Sequence, residues 1–165
     1  MTRPAVRVRV PAKVNLQLAV GALRPDGYHD LVTVFHAVSL YDEVEATPAD
    51  PGSGVVLTVE GEGSRTLPVD GTNLAARAAT ALAERLGVAP DVRLHLRKGI
   101  PVAGGMAGGS ADAAGALLAC DAVWGSRLDR AELLETAAGL GADVPFGLVG
   151  GTAVGLGTGT RLTPA

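Results

Sequence analysis

The run from Gly99 to Gly115 reads G-I-P-V-A-G-G-M-A-G-G-S-A-D-A-A-G, stripping side chains from the backbone just ahead of an alanine-rich segment. Gly104, Gly105, Gly108 and Gly109 open conformations closed to other residues and let a bulky anion reach the main chain. Ser110 falls where an N-cap belongs, ahead of a helix expected over Ala111 to Val123, so amide N–H groups and the positive end of the helix dipole converge on one spot. The chemistry this suits is phosphate binding. The segment from Gly104 to Ala116 has no lysine, which excludes a Walker A loop. Its G-G-x-x-G-G spacing departs from the dinucleotide-binding G-x-G-x-x-G, and Asp112 stands where a nucleophile elbow needs glycine. A tight turn leading into a closely packed helix is the plainer alternative.

Three other places carry polar chemistry. Only two lysines occur among 14 basic residues, so Lys13 in P-A-K-V-N-L stands out from an arginine background. A lysine ammonium is a compact, mobile charge suited to a hydroxyl developing negative charge, although a solvated strand lysine would look the same. Asn15, two residues on, shares its sheet face. Tyr28 and His29 follow the Arg24-Pro25-Asp26-Gly27 turn, where a ring and an imidazole suit a planar ligand. Asp143, in L-G-A-D-V-P-F, is a lone carboxylate among apolar residues, read as a loop residue. It is either a helix cap or a working acid or base, and as a base it needs a cation such as Lys13 to hold it ionised. His29, His36 and His95 lack metal-ligand spacing, and Cys120 sits among Leu117, Leu118 and Ala119 as a small buried residue.

The elements that must position these groups follow from hydrophobic period. Alternation predicts strands over Val6 to Val10, Val14 to Val20, Leu31 to Leu40, Asp42 to Thr47, Val55 to Val59 and Asp91 to Lys98, with a last one over roughly Thr152 to Leu156. Gly157 to Ala165 reads as a trailing segment. Helical spacing covers Asn73 to Leu86, capped by Thr72 or Asn73 and stopped by Gly87 and Pro90. Asp129 and Glu132 form a capping pattern for a helix ending at Gly139 or Gly141. Strands first and helices later predict an α+β fold: a largely antiparallel sheet with helices on one face.

Composition bounds the function. The 165 residues are 47% hydrophobic and 19% charged, enough for one domain, 1–165, with a real core. A net charge of -3 and 3% aromatic content give no footprint for nucleic acid. No stretch reaches signal-peptide or membrane-span length, so a cytoplasmic protein is expected, with a small-molecule partner and no membrane.

Four motifs together resemble the GHMP kinase superfamily: P-A-K-V-N-L at Pro11 to Leu16, R-P-D-G-Y-H-D-L at Arg24 to Leu31, P-V-A-G-G-M-A-G-G-S-A-D-A-A at Pro101 to Ala114, and G-A-D-V-P-F at Gly141 to Phe146. D-G-Y-H beside P-A-K-V-N is similar to the branch whose acceptor is 4-diphosphocytidyl-2-C-methyl-D-erythritol. The resemblance implies ATP-dependent phosphorylation of that molecule's 2-hydroxyl, assisted by Mg²⁺, in non-mevalonate isoprenoid biosynthesis. Asp143 would take the hydroxyl proton and Lys13 would hold Asp143 and stabilise charge. The triphosphate would lie against Pro101, Val102, Ala103, Gly104, Gly105, Met106, Ala107, Gly108, Gly109, Ser110 and Ala111. Asn15 and Lys13 would meet the erythritol, Tyr28 and His29 the cytosine, and Ser110 is the candidate Mg²⁺ ligand. The implied fold is that of ribosomal protein S5 domain 2, with a left-handed β-α-β crossover and with the superfamily's second domain outside these 165 residues. A nucleotide-binding fragment without turnover, or a kinase for another small alcohol, are the alternatives.

Overall fold

The computed structural model describes residues 4–126 and 128–165. Its centre is a six-stranded sheet, and β2 (His29–Pro48) is the spine. One edge of β2 carries β1 (Val6–Leu23) along its length, antiparallel. The other edge is shared: β4 (Val92–Lys98) pairs with Glu43–Pro48, and β5 (Thr152–Gly157) with Leu31–His36. Beyond β4 lies β3 (Val55–Gly61), the parallel neighbour, and beyond β5 lies β6 (Arg161–Pro164). Parallel strands need a crossover, and α1 (Leu74–Leu86) supplies it between β3 and β4.

The sequence expectation of an α+β, sheet-and-helix domain holds, with four differences. The pairs of strands expected on either side of Pro11 and of Tyr41 are each one continuous strand. Pro11 pairs with Tyr41 and Ala12 with Val38, so the register slips there, and a bulge accommodates the proline, which cannot donate to the ladder. β4 inserts between β2 and β3, and Asp91 just ahead of it accepts N–H bonds from Gly52 (2.9 Å) and Gly54 (2.8 Å) in the turn that joins those strands. The segment after Gly157 contains β6 rather than a trailing coil. Finally, α4 (Val144–Val149) follows Asp143, with Pro145 in its first turn, where a missing N–H costs nothing.

One face of the sheet is a charged ladder open to solvent. Arg7 bridges Glu43 and Glu45, Arg97 bridges Glu43 and Glu60, and His95 meets Glu60. The opposite face, Val10, Val44, Leu57, Leu94 and Leu96, is buried and receives the helices. α2 (Gly108–Trp124) lies innermost, with buried residues around its whole circumference. A Cβ on Gly115 would stand 2.7 Å from Val44, so glycine sets how near helix and sheet approach. α1 and α3 (Arg130–Leu140) pack outside it, α3 beginning at the expected Asp129/Glu132 capping box and ending at Gly141. Among the described residues no helix is long and apolar enough to cross a membrane.

Candidate active site

The glycine run forms a loop between β4 and α2, and it walls a cleft of ≈ 310 Å³ that also takes in Leu67, Thr72 and Asn73 at the start of α1. Two helix N-termini therefore face the same space. Of the two expected caps it is Asn73 that closes α1, its side chain accepting the Ala75 N–H. The expectation for α2 needs correction. Ser110 is not its N-cap: the helix begins at Gly108, preceded by Ala107 in the left-handed region, with no side-chain cap. The leading N–H groups of α2 therefore have no side chain closing over them, which leaves them for a ligand.

Backbone strain marks the same loop. Ala103 (φ 59°) and Ala107 (φ 57°) are the non-glycine residues at positive φ among those described, and Gly105 (φ 72°) stands between them. Each left-handed alanine costs about 1–2 kcal/mol, and alternation of this kind turns successive N–H groups into a concave anion nest. A side chain at Gly105 would meet nothing within 4 Å, so this glycine serves conformation rather than packing.

Lys13 and Asp143 come together as expected. The Lys13 ammonium lies 3.3 Å from Asp143 Oδ2, donates to Asn15 Oδ1 at 2.8 Å and sits 5.4 Å over the Phe35 ring. Asn15 donates in turn to Thr33 Oγ1 (2.7 Å), which donates to Gln17 O (2.9 Å). The lysine side chain is 11% exposed and the Asp143 side chain 33%, so the carboxylate is the member of the pair that an incoming ligand meets. Asp143 precedes α4 without capping it by its side chain. The main chain of Lys13 donates to Met106 O at 3.1 Å, which joins the ion pair to the middle of the glycine loop.

Tyr28 and His29 are elsewhere. They lie at the tip of the β1–β2 hairpin, Tyr28 64% exposed and His29 bonded through Nδ1 to Gly21 O at 2.9 Å. The strand from Lys13 to the Leu23–His29 pair spans about 30 Å at ~3.3 Å per residue. Ser110, in the first turn of α2, is not among the residues lining the cleft. Cys120 is buried, and burial pushes its thiol up to about 12, which fits a structural residue.

Sequence reading missed three residues beneath the loop. Lys98, the second lysine, is buried between Asp42 and Asp112. A lysine scarce in the chain and a carboxylate inside an alanine-rich helix were the available signals; Asp42 gave none.

The residues that match the description "GHMP kinases N terminal domain" are 73–151, which run from the α1 cap through the loop, α2 and Asp143 to α4. Over these residues the chain is similar to the N-terminal domain of the GHMP kinases. It is 69% identical over 158 residues to the 4-diphosphocytidyl-2-C-methyl-D-erythritol kinase of Streptomyces coelicolor, covering 96% of this chain and 52% of that protein. To its namesake from Streptomyces avermitilis it is 66% identical, with the same coverage. A crystal structure of 4-(cytidine 5'-diphospho)-2C-methyl-D-erythritol kinase superposes with a TM-score of 0.77 at 41% identity, over 97% of this chain and 55% of the other. The chain spans about half the length of the curated relatives it matches.

Proposed function

We propose that this GHMP kinase domain binds ATP in the glycine cleft and supports transfer of its γ-phosphoryl to the 2-hydroxyl of 4-diphosphocytidyl-2-C-methyl-D-erythritol, a step of non-mevalonate isoprenoid biosynthesis. The observation that carries the reading is the Lys13 N–H bond to Met106 O, which fixes a base-and-cation pair against an anion-binding loop. Relatives of the same name at 66–69% identity support the choice of acceptor.

In this reading the N–H groups of the loop and of the α2 N-terminus receive phosphate oxygens. Asp143 accepts the proton of the acceptor hydroxyl, and Lys13 keeps that carboxylate oriented while offsetting charge on the attacking oxygen. Phosphoryl transfer needs chiefly positioning and charge stabilisation, so no covalent nucleophile is called for. Asn15 would meet the erythritol, and Tyr28 and His29 the cytosine at the far end of an elongated substrate. Mg²⁺ commonly accompanies triphosphates through one or two carboxylates and the phosphates themselves. Among the described residues no three potential ligands are grouped to hold a metal, and Ser110 stands outside the cleft lining, so an ion brought in with the triphosphate would be held chiefly by the phosphate oxygens and water.

A second reading, nucleotide binding without turnover, is favoured by one observation: the hairpin tip bearing Tyr28 is open to solvent, far from Lys13. Calorimetric titration with a non-hydrolysable ATP analogue, then with the cytidine-bearing acceptor, followed by an assay of ADP release, separates the two. Binding of both with turnover is expected. Nucleotide binding alone would select the second reading, and a folded chain that binds neither would end both.

A further inference from the structure

Three ionisable side chains are buried under the glycine loop, Lys98 at 2% exposure, Asp42 at 0% and Asp112 at 4%, with Lys98 and Asp112 reaching the floor of the cleft. Lys98 Nζ donates to Asp42 Oδ2 and to Asp112 Oδ2. Burying such a group is unfavourable unless its partners are well placed, and the sequence could have filled the space with apolar residues. The position of each member shows what the cluster accomplishes. Asp42 Oδ1 accepts the N–H groups of Gly99 (2.7 Å) and Ile100 (2.9 Å), the residues where the chain leaves β4. Asp112 lies in α2, where the chain resumes regular structure beyond the loop.

The loop is drawn down onto the ammonium between these two anchors. A Cβ at Gly99 would stand 2.5 Å from Tyr41 O, and one at Gly108 would stand 3.3 Å from Lys98 Nζ. Between them lie the strained residues Ala103 and Ala107, which relax unless the surroundings hold them. Asp112 Oδ1 is the buried side-chain oxygen or nitrogen without a hydrogen-bond partner among the described residues, so Asp112 is placed for its bond to Lys98 rather than for its own satisfaction.

We propose that Asp42, Lys98 and Asp112 form a positioning cluster that staples both ends of the loop and holds it in its phosphate-receiving shape before any nucleotide arrives. It rests on the cleft being the nucleotide site. Lys98 differs here from a lysine that reaches over a phosphate: the Asp42 and Asp112 carboxyl groups hold its ammonium, and it acts through the loop backbone.

The test is amide hydrogen exchange of the ligand-free chain, together with calorimetry using a non-hydrolysable ATP analogue, on wild type, Asp42→Asn, Asp112→Asn and Lys98→Met. A lost bond to a charged group predicts about tenfold or greater acceleration of exchange at Gly99–Gly109 in each variant, with α1 amides unchanged. Analogue affinity should fall by about tenfold as well, and Lys98→Met combined with Asp42→Asn should add little to either single change. Wild-type loop exchange in the folded Asn variants would overturn the proposal. So would loss of affinity in Lys98→Met with loop exchange unchanged, which would make Lys98 a direct phosphate ligand, and so would equal acceleration in loop and α1, which would make the cluster a general stabiliser. If the wild-type chain binds no analogue while the variants still loosen the loop, the staple stands and the nucleotide assignment fails.

Discussion

Lys13 serves two partners at once: its backbone N–H holds Met106 O at 3.1 Å while its ammonium stands 3.3 Å from Asp143. One residue thereby ties the glycine loop to the Asp143 carboxylate, which in the proposed reading meet the donor and the acceptor respectively. Side-chain and main-chain roles can be separated by substitution. Asp143→Asn should lower turnover by about 10²–10⁴-fold with little change in ATP affinity. Lys13→Met should also abolish most turnover yet leave the loop in place, because the N–H bond to Met106 remains. Steady-state kinetics beside equilibrium nucleotide binding checks both, and retained turnover in Asp143→Asn would remove it as the base.

Gly147 carries a second prediction. A Cβ there would lie 2.6 Å from that of Ala114, so Gly147→Ala pushes α4 off α2 and drags Asp143 with it. Overpacking costs about 1–3 kcal/mol, and a displacement near 1 Å is enough to lower turnover by about 10²-fold. Ala114→Gly in the same chain should restore turnover; a double variant as slow as the single one would show that the contact is irrelevant to the site.

The Asp112 carboxyl is pushed up to about 8, chiefly by burial, with Lys98 opposing and Asp42 adding to the rise. A carboxyl with its folded pKa above its unfolded one favours the folded state fully below about pH 4, and that advantage is lost as pH rises towards 8. Stability should therefore decline across this window, by up to about 1.4 kcal/mol per pH unit from this group. Urea midpoints measured along the window should show Asp112→Asn with a flatter profile than wild type. Parallel profiles would place the proton elsewhere.

Tyr28→Ala should weaken binding of the cytidine-bearing acceptor by about tenfold, in the range of one lost base–aromatic stack, and leave ATP affinity unchanged. Calorimetry with each ligand separately decides it: equal loss for both would sink the cytosine role. Tyr28 is exposed, so its truncation leaves the core packing intact.

Local pattern made much of this molecule legible. The alternation around Val10, Val44 and Leu94 gave the strands and their buried face, Asp129 and Glu132 gave the α3 start to the residue, and Asn73 was one of two candidate caps for α1. Pro11 and Tyr41 misled, because a bulge depends on the partner strand and leaves no mark in either segment alone. Ser110 misled because a left-handed alanine is disfavoured locally and survives at Ala107 only under tertiary constraint. Asp143 read as a loop residue, although the Pro145 that follows it suits the first turn of a helix. In the site, Lys13 and Asp143 were readable from residue type against background. Asp42, Lys98 and Asp112 come from β2, β4 and α2, and nothing in a linear pattern brings such distant positions together.

The divided edge of β2 has a consequence for how the chain is made. Its Leu31–His36 stretch waits for β5, and the His36 side chain meets Thr152 across 116 positions of sequence. Contacts of such separation form late. During synthesis from the N-terminus, β1 and β4 can settle on β2 while this stretch still displays unpaired N–H and C=O groups, an edge that a second nascent copy could occupy. The ribosome must release more than nine-tenths of these residues before the sheet can close around its own centre.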